Sequence, residues 1–256
     1  MAKAEPPLLR VTSTLLLIGG APVDVLLMKR LAAGRPLVAA DSGANTALRS
    51  GLVPDLVLGD LDSIEEVDAV RRRSRVVHIP DQDSTDLEKS LAHVDAPAII
   101  GLGFIGARFD HSLAAIHALS AYAKRREIML IGEHEVVLRV RGDFRCELPI
   151  GLRFSLWPLA RQGFRRFSVL RYPLYGLVME AGSLVGTSNE TTASRIGHGP
   201  RVRPGHASVR TFSALAISFR SAILAQTSSR CRLAISSALP PSGREQSARA
   251  RSEWTS

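Results

Sequence analysis

The sequence predicts an α/β chain in consecutive parts: a parallel-sheet domain over residues 14–132, a small all-β sandwich over 133–190, and a basic tail over 191–256. Three observations predict it. Short, wholly apolar runs alternate with stretches of helical spacing as far as Gly132, the pattern of strands buried on both faces and covered by helices. From Glu135 to Val185 the segments shorten, turn residues separate them, and no long helical stripe remains. After Glu190 Ser, Arg, Ala, Pro and Gly dominate, the composition of chain that packs no core.

Taken in order, Leu15 to Ile18 is the first apolar run and closes on Gly19-Gly20. Val23 to Ala33 has helical spacing, with Gly34 placed as its C-cap. A strand over Leu37–Ala40 leads through Asp41 to a short helix ending near Gly51. A strand over Leu56–Leu58 precedes a charged helix over Ile64–Arg73. The run Val76–Ile79 is followed by a helix to His93 that Ser84 or Asp86 can cap. Pro97–Gly101 is a strand, Asp110 starts another helix, and Ile128–Ile131 closes the series. In the β half, Gly142-Asp143 and Ala181-Gly182 read as hairpin turns. In the tail only Ala214–Ala225 has helical character, no alternating strand stands out, and disorder is expected from about Gln226.

Bulk properties exclude several classes. With 45% hydrophobic and 22% charged residues the chain can bury a real core. Aromatics at 5% offer no stacking platform for single-stranded nucleic acid. Cys146 and Cys231 share no metal-like spacing and read as free thiols. No apolar run has the length to span a bilayer and the N-terminus lacks a signal-peptide layout, so a cytoplasmic address is expected. The net charge of +9 belongs to the tail: residues 191–256 hold ten arginines against two glutamates, whereas residues 1–190 carry 23 basic and 22 acidic groups. Such a tail binds nucleic acid at most non-specifically, and no specific nucleic-acid partner is expected.

The chemistry concentrates at strand ends. Asp60 and Asp62 follow Gly59 at the end of one strand; Asp81, Asp83 and Asp86 follow the next; Asp41 ends a third. The carboxyl ends of parallel strands are where open α/β sheets bind ligands, and carboxylates gathered there call for a cation. Mg²⁺ with phosphate oxygens is the natural choice. A glycine before Asp60-x-Asp62 can aim both carboxylates from one turn, although an Asp-rich helix cap reads the same residues equally well. Asp41-Ser42-Gly43-Ala44-Asn45 offers backbone N–H groups to an anion. The loop Gly101–Gly106 delivers Arg108, Asp110 and His111 to a helix start, and Arg108 can meet phosphate bidentately. Lys89 lies one turn after Thr85 and Asp86, where it could contact phosphate, although a solvated ion pair is the simpler role.

In series these motifs closely resemble the thiamine pyrophosphokinase family. The matching pieces are ADSGAN (40–45), PDLVLGDLDSI (54–64), DQDSTDLEKSL (81–91), GARFDHSLA (106–114), LRYPLYG (170–176) and GTSNE (186–190). The resemblance implies a nucleotide-binding α/β domain before a β-sandwich and a homodimer with thiamine bound between subunits. It implies transfer of a diphosphate from ATP to the thiamine hydroxyl, with Mg²⁺ and release of AMP. Carried over by position, Asp41, Asp60, Asp62 and Asp86 would form the Mg²⁺-ATP cluster, with Gln82 beside it. Asn45, Arg108, Asp110 and His111 would face ATP; Ser188 and Asn189 would contact the aminopyrimidine of thiamine. Asp60, Asp62, Asp86 and Arg108 are the residues the resemblance implies in catalysis.

The chain departs from that family at Ala107, where many members have glycine, at Ala115, where many have asparagine, and after Glu190. The last departure suggests a frameshifted or otherwise altered reading frame that leaves the sandwich short of strands; sequencing the coding DNA for a restoring single-base shift tests it. Other readings are a different Mg²⁺-dependent phosphotransferase or phosphohydrolase, an inactive family member with a disrupted C-terminus, and, last, a nucleic-acid-binding protein.

Overall fold

The computed structural model describes residues 6–122, 126–144, 146–147, 150–164, 170–192, 195–196 and 209–220. In chain order the elements are β1 (Leu9–Arg10), β2 (Leu15–Ile18), α1 (Val25–Ala32), β3 (Leu37–Ala40), α2 (Gly43–Arg49), β4 (Leu56–Gly59), α3 (Val67–Arg71) and β5 (Arg75–His78). There follow α4 (Asp86–His93), β6 (Val94–Asp95), β7 (Ala98–Leu102), α5 (Phe109–Tyr122), β8 (Glu127–Ile131), β9 (Glu135–Phe144) and β10 (Cys146–Glu147). The rest are β11 (Arg153–Pro158), β12 (Gln162–Gly163), β13 (Val178–Met179), β14 (Gly186–Glu190), β15 (Arg195–Ile196) and β16 (Val209–Arg220).

Ten strands form one sheet in the order β14-β11-β16-β9-β8-β7-β2-β3-β4-β5. The strands from β8 to β5 are mutually parallel, and from β9 outward every neighbour is antiparallel. The parallel strands follow from their composition: β2, β3, β4 and β7 are buried at every position, because helices cover both faces. Along β2, Leu16 and Ile18 join one core cluster with Met28 of α1, while Leu15 and Leu17 join the other with Leu87 and Leu91 of α4 and Leu119 of α5. That is the two-residue alternation of a strand between two layers. Beyond the reversal, Phe154 and Leu156 of β11 are fully buried and belong to the same cluster as Leu16, together with Phe164, Leu170, Leu174 and Met179. One apolar layer therefore runs under both halves of the sheet.

Local chemistry sets the helix ends. The Asp24 carboxylate accepts hydrogen bonds from the N–H groups of Leu26 and Leu27 to start α1, and Gly34 at φ 70° follows its end. For α4 the cap is Thr85 rather than Ser84 or Asp86: Thr85 and Glu88 form a reciprocal capping box.

Other expectations are corrected. The charged helix is shorter than Ile64–Arg73, spanning Val67–Arg71 after a turn. Gly142 and Asp143 form no hairpin turn; they lie inside β9, paired with Thr211 and Arg210 of β16. Ala181-Gly182 does turn, with Gly182 at φ 80°, but the strands beside it pair elsewhere. The helix expected over Ala214–Ala225 gives way to a strand as far as Arg220, and β16 is an alternating strand that the sequence reading does not anticipate in the tail. It sits between β9 and β11 and joins them. The disorder expected from Gln226 falls outside the described residues, as do Cys231 and the rest of the tail after Arg220. Among the described residues no helix is long and apolar enough to cross a membrane.

Candidate functional site

Strand order changes direction at β2: the chain moves one way through β3, β4 and β5, then returns to place β7 on the other side of β2. Such a switch point opens a crevice at the carboxyl ends of the strands. A cleft of about 470 Å³ lies there. The loop after β2 lines it with Gly19 and Gly20, that after β3 with Asp41 and Ser42, that after β4 with Asp60 and Ser63, and that after β7 with Gly103 and Phe104. Gln82, Thr85, Asp86 and Lys89 come from the start of α4 and its approach, Arg108 and His111 from the start of α5. Gly103, at φ 75°, is required by the crowding: a Cβ there would come 2.7 Å from the Gly19 carbonyl oxygen.

Asp41, Asp60 and Asp62 each bring a carboxylate oxygen within 4.8 Å of the others. The backbone is strained to do so. Among the described residues three non-glycines have positive φ, and two of them are Asp41 at 43° and Leu61 at 65°. Leu61 in the left-handed region turns the chain between Asp60 and Asp62, and such strain persists where packing dictates it. Leu61 packs against the core cluster that contains Ala39, Val57 and Ile64. Helix capping does not account for Asp62 and Ser63, since α3 begins later and its N-cap, Glu66, makes no side-chain cap bond. Ser63 instead donates to Asp62 at 2.7 Å.

The electrostatics divide the acids. Burial, with the charges of Asp60 and Asp62 added, raises the Asp41 carboxyl above its ordinary value of 3.8. Burial and then the Asp41 charge raise Asp86 likewise. Burial also pulls Asp60 upward, but the Gln82 hydrogen bond and the Lys89 ammonium outweigh it and hold Asp60 below the ordinary value. Gln82 Nε2 donates to Asp60 at 3.2 Å. Lys89 Nζ lies 3.3 Å from Asp60 and 3.5 Å from Asp86 with its side chain only 3% exposed, so in place of the expected solvated pair there is a buried ammonium between partly exposed carboxylates.

The donor set fits Mg²⁺. It is all oxygen and all carboxylate, and Asp41 Oδ1 is buried with no hydrogen-bond partner among the described residues. A buried carboxylate oxygen without a partner, on a residue that lines the cleft, is the group that a cation would satisfy.

The other expected residues sort by place. Arg108 and His111 line the cleft; Asp110 does not, and its carboxylate grips Arg108 through Nε at 3.1 Å and Nη2 at 2.5 Å. Asn45 is turned to the loop after β4, donating to the Ser63 carbonyl at 2.9 Å and accepting from Glu65 N–H at 3.2 Å. Asp81 closes a local turn by accepting from Asp83 N–H at 3.0 Å. Ser188, the third non-glycine with positive φ at 57°, is exposed on β14. Asn189 is buried beside it and clamps the Tyr172 loop, accepting from Tyr172 N–H at 3.0 Å and donating to its carbonyl at 2.7 Å. Both lie seven strand positions from β3, on the order of 30 Å along the sheet. The sequence reading missed Phe104 and Thr85 as cleft-lining residues. Only Thr85 carried a local signal, the Thr-x-x-Glu spacing.

Proteins of known kind resemble this chain in sequence and in fold. A family model described as the catalytic domain of thiamin pyrophosphokinase matches residues 28–131. Thiamin pyrophosphokinase 1 of Caenorhabditis elegans is 30% identical over 178 residues, covering 62% of this chain and 72% of that protein. Thiamine pyrophosphokinase of Bacillus subtilis is 28% identical over 169 residues, 62% of this chain and 79% of its own. Among solved structures, that of thiamin pyrophosphokinase from Candida albicans superposes with a TM-score of 0.67 at 17% identity, over 81% of this chain and 88% of the other. The Bacillus subtilis structure gives 0.66 at 23% identity, over 82% and 99%. At those identities the structures attest the shared fold.

Proposed function

The chain belongs to the thiamine pyrophosphokinase family, and on that premise we propose that it transfers the diphosphate of ATP to the hydroxyl of thiamine, releasing AMP. The observation that carries the reading is the convergence of Asp41, Asp60 and an exposed Asp62 at the edge of a cleft that Asp41, Asp60 and Arg108 line. Mg²⁺ held by these three, with Asp86 beside them, would neutralise phosphate charge and polarise the attacked phosphorus.

The chain's own groups supply the rest. Arg108, its fork oriented by Asp110, is placed to meet a phosphate. Gly19, Gly20 and Gly103 leave room for phosphate to approach the backbone. His111 stands at the same wall for ATP, and Asn45 acts at one remove by holding the Ser63–Glu65 loop. Asp60, kept ionised, suits a permanent ligand, with Gln82 fixing its orientation. Asp86, with its raised pKa, is the better proton acceptor for the thiamine hydroxyl.

Residues 14–132 are read as the ATP/Mg²⁺ domain and 133–190 as the thiamine-binding sandwich, with Ser188 directed to the aminopyrimidine; Asn189, whose amide is engaged by the Tyr172 loop, supports it from behind rather than touching thiamine. The separation of Ser188 from the acid cluster supports a homodimer in which one copy's cluster faces the other's β14. The cytoplasm, where ATP is available, is the proposed compartment.

The test is AMP formation from ATP and Mg²⁺, with and without thiamine, on the wild type and on Asp60→Ala, with folding checked by circular dichroism. Thiamine-dependent AMP that disappears in the variant is the expected result. AMP or phosphate release indifferent to thiamine would assign the cleft to another phosphotransferase or a phosphohydrolase.

A further inference from the structure

We propose that Lys89 is the built-in counterion of the acid cluster, balancing its carboxylates when no metal is bound and setting how tightly the cluster takes a divalent cation. Lysine is almost never fully buried unless paired, and Lys89 is buried between Asp60 on the loop after β4 and Asp86 on its own helix. Packing fixes it there: Leu87 and Leu91 anchor α4 in the core under β4, with Leu58 in the same cluster. The other fixed cation of the cleft, Arg108, is engaged by Asp110. Lys89 thus ties Asp60 to Asp86 and offsets the repulsion between these two acids and their neighbours Asp41 and Asp62 at the ends of β3 and β4.

Two consequences follow from that placement. Without its ammonium the metal-free fold carries an unbalanced buried charge and depends on a divalent ion. The same ammonium competes with the ion for Asp60, so its removal tightens metal binding. The inference rests on the Mg²⁺ reading of the cluster, but its first arm uses metal-free protein and stands or falls separately.

The experiment compares wild type, Lys89→Met and Lys89→Met/Asp86→Asn at pH 8 without nucleotide, melting each in EDTA and in MgCl₂, with calorimetric titration of Mg²⁺ into the metal-free proteins. In EDTA Lys89→Met is expected to melt about 5–15 °C below wild type, and the double variant to regain most of that loss because it removes one negative charge with the positive one. Mg²⁺ is expected to raise the melting point of Lys89→Met more than that of wild type, and to bind it at least about tenfold more tightly. A double variant melting as low as the single one would mean that Lys89 acts by packing, and would overturn the proposal. So would a Lys89→Met protein as stable as wild type in EDTA. Should Lys89→Met fail to fold in either buffer, a folded double variant supports the proposal and an unfolded one overturns it. Mg²⁺ binding to none of the three would refute the metal reading of the cluster and with it the second consequence, leaving the EDTA comparison to decide the first.

Discussion

A side chain on Gly59 would place its Cβ 2.9 Å from the Cβ of Asp41, so the ends of β3 and β4 touch where the acid cluster begins. Gly59 also has φ 154°, which other residues rarely adopt. Gly59→Ala is expected to push the Asp41 carboxylate out of register with Asp60, abolish measurable activity and cost about 2–3 kcal/mol of stability. Denaturant unfolding and the AMP assay check both; an active variant of wild-type stability would show that the contact is not constraining.

Asp41 and Asp86 predict a pH effect. Their folded pKa values lie above 3.8, chiefly through burial, so the native state holds their protons more tightly than the unfolded chain. Ionising them therefore weakens the metal-free fold as pH rises from 3.8 through the raised values. Asp41→Asn should be as stable as wild type or more so in EDTA at neutral pH, yet lose Mg²⁺-dependent stabilisation. Wild-type activity should fall on the acid side at a pH above 3.8, as these ligands take up protons. A melting-temperature series against pH, with and without Mg²⁺, measures both.

Arg108 and Asp110 form an exposed pair with side chains 67% and 63% accessible, and pairs of that kind add little to stability. Arg108→Lys should leave the melting point within about 1 °C and raise the KM for ATP roughly tenfold, since an ammonium cannot reproduce the bidentate fork. Asp110→Ala should shift the same KM less, by freeing the fork. Steady-state kinetics at varied ATP separates the two.

Ser188 offers a test of the shared site. Asp60→Ala and Ser188→Arg are each expected to be inactive alone. Co-expressed, they should recover about a quarter of wild-type activity, because half of the dimers are mixed and each mixed dimer has one intact site of two. No recovery from folded, dimeric protein would place cluster and Ser188 in separate roles. Asn189→Ala should instead cost stability, about 1–3 kcal/mol, by releasing the Tyr172 loop from a buried partner.

The parallel half was legible because its signals are local. Leu15–Ile18 and Leu56–Leu58 are uninterrupted apolar runs, and their shortness between turn residues favours a strand buried on both faces. The aspartates at their ends could be placed at the cleft once the strands were. What was not legible depended on distant chain. In β16, Leu215, Ile217 and Phe219 alternate with Ala214, Ala216 and Ser218, and the alanines lend the segment a helical cast that pairing with β9 and β11 overrides. Gly142-Asp143 is a turn signal in isolation, yet its partners Thr211 and Arg210 hold it extended. Lys89 looked solvated because spacing gives its neighbours on α4 but not Asp60, twenty-nine residues upstream, which makes it a buried ion. Asn45 likewise gave no sign that its amide would hold the Ser63–Glu65 loop.

The order of strands in the sheet bears on how the chain is made. Every strand of the parallel half lies between residues 15 and 131, so that half can pack while the remainder is still being translated. The antiparallel half cannot, because β16, the last strand among the described residues, occupies the gap between β9 and β11. From the emergence of Pro158 to that of Arg220, about 3–12 s at ordinary rates of synthesis, β9 and β11 each expose an edge with nothing to pair. The nascent chain is most open to wrong pairing in that interval. Translation speed and chaperone supply across residues 158–220 should therefore bear directly on the yield of folded enzyme.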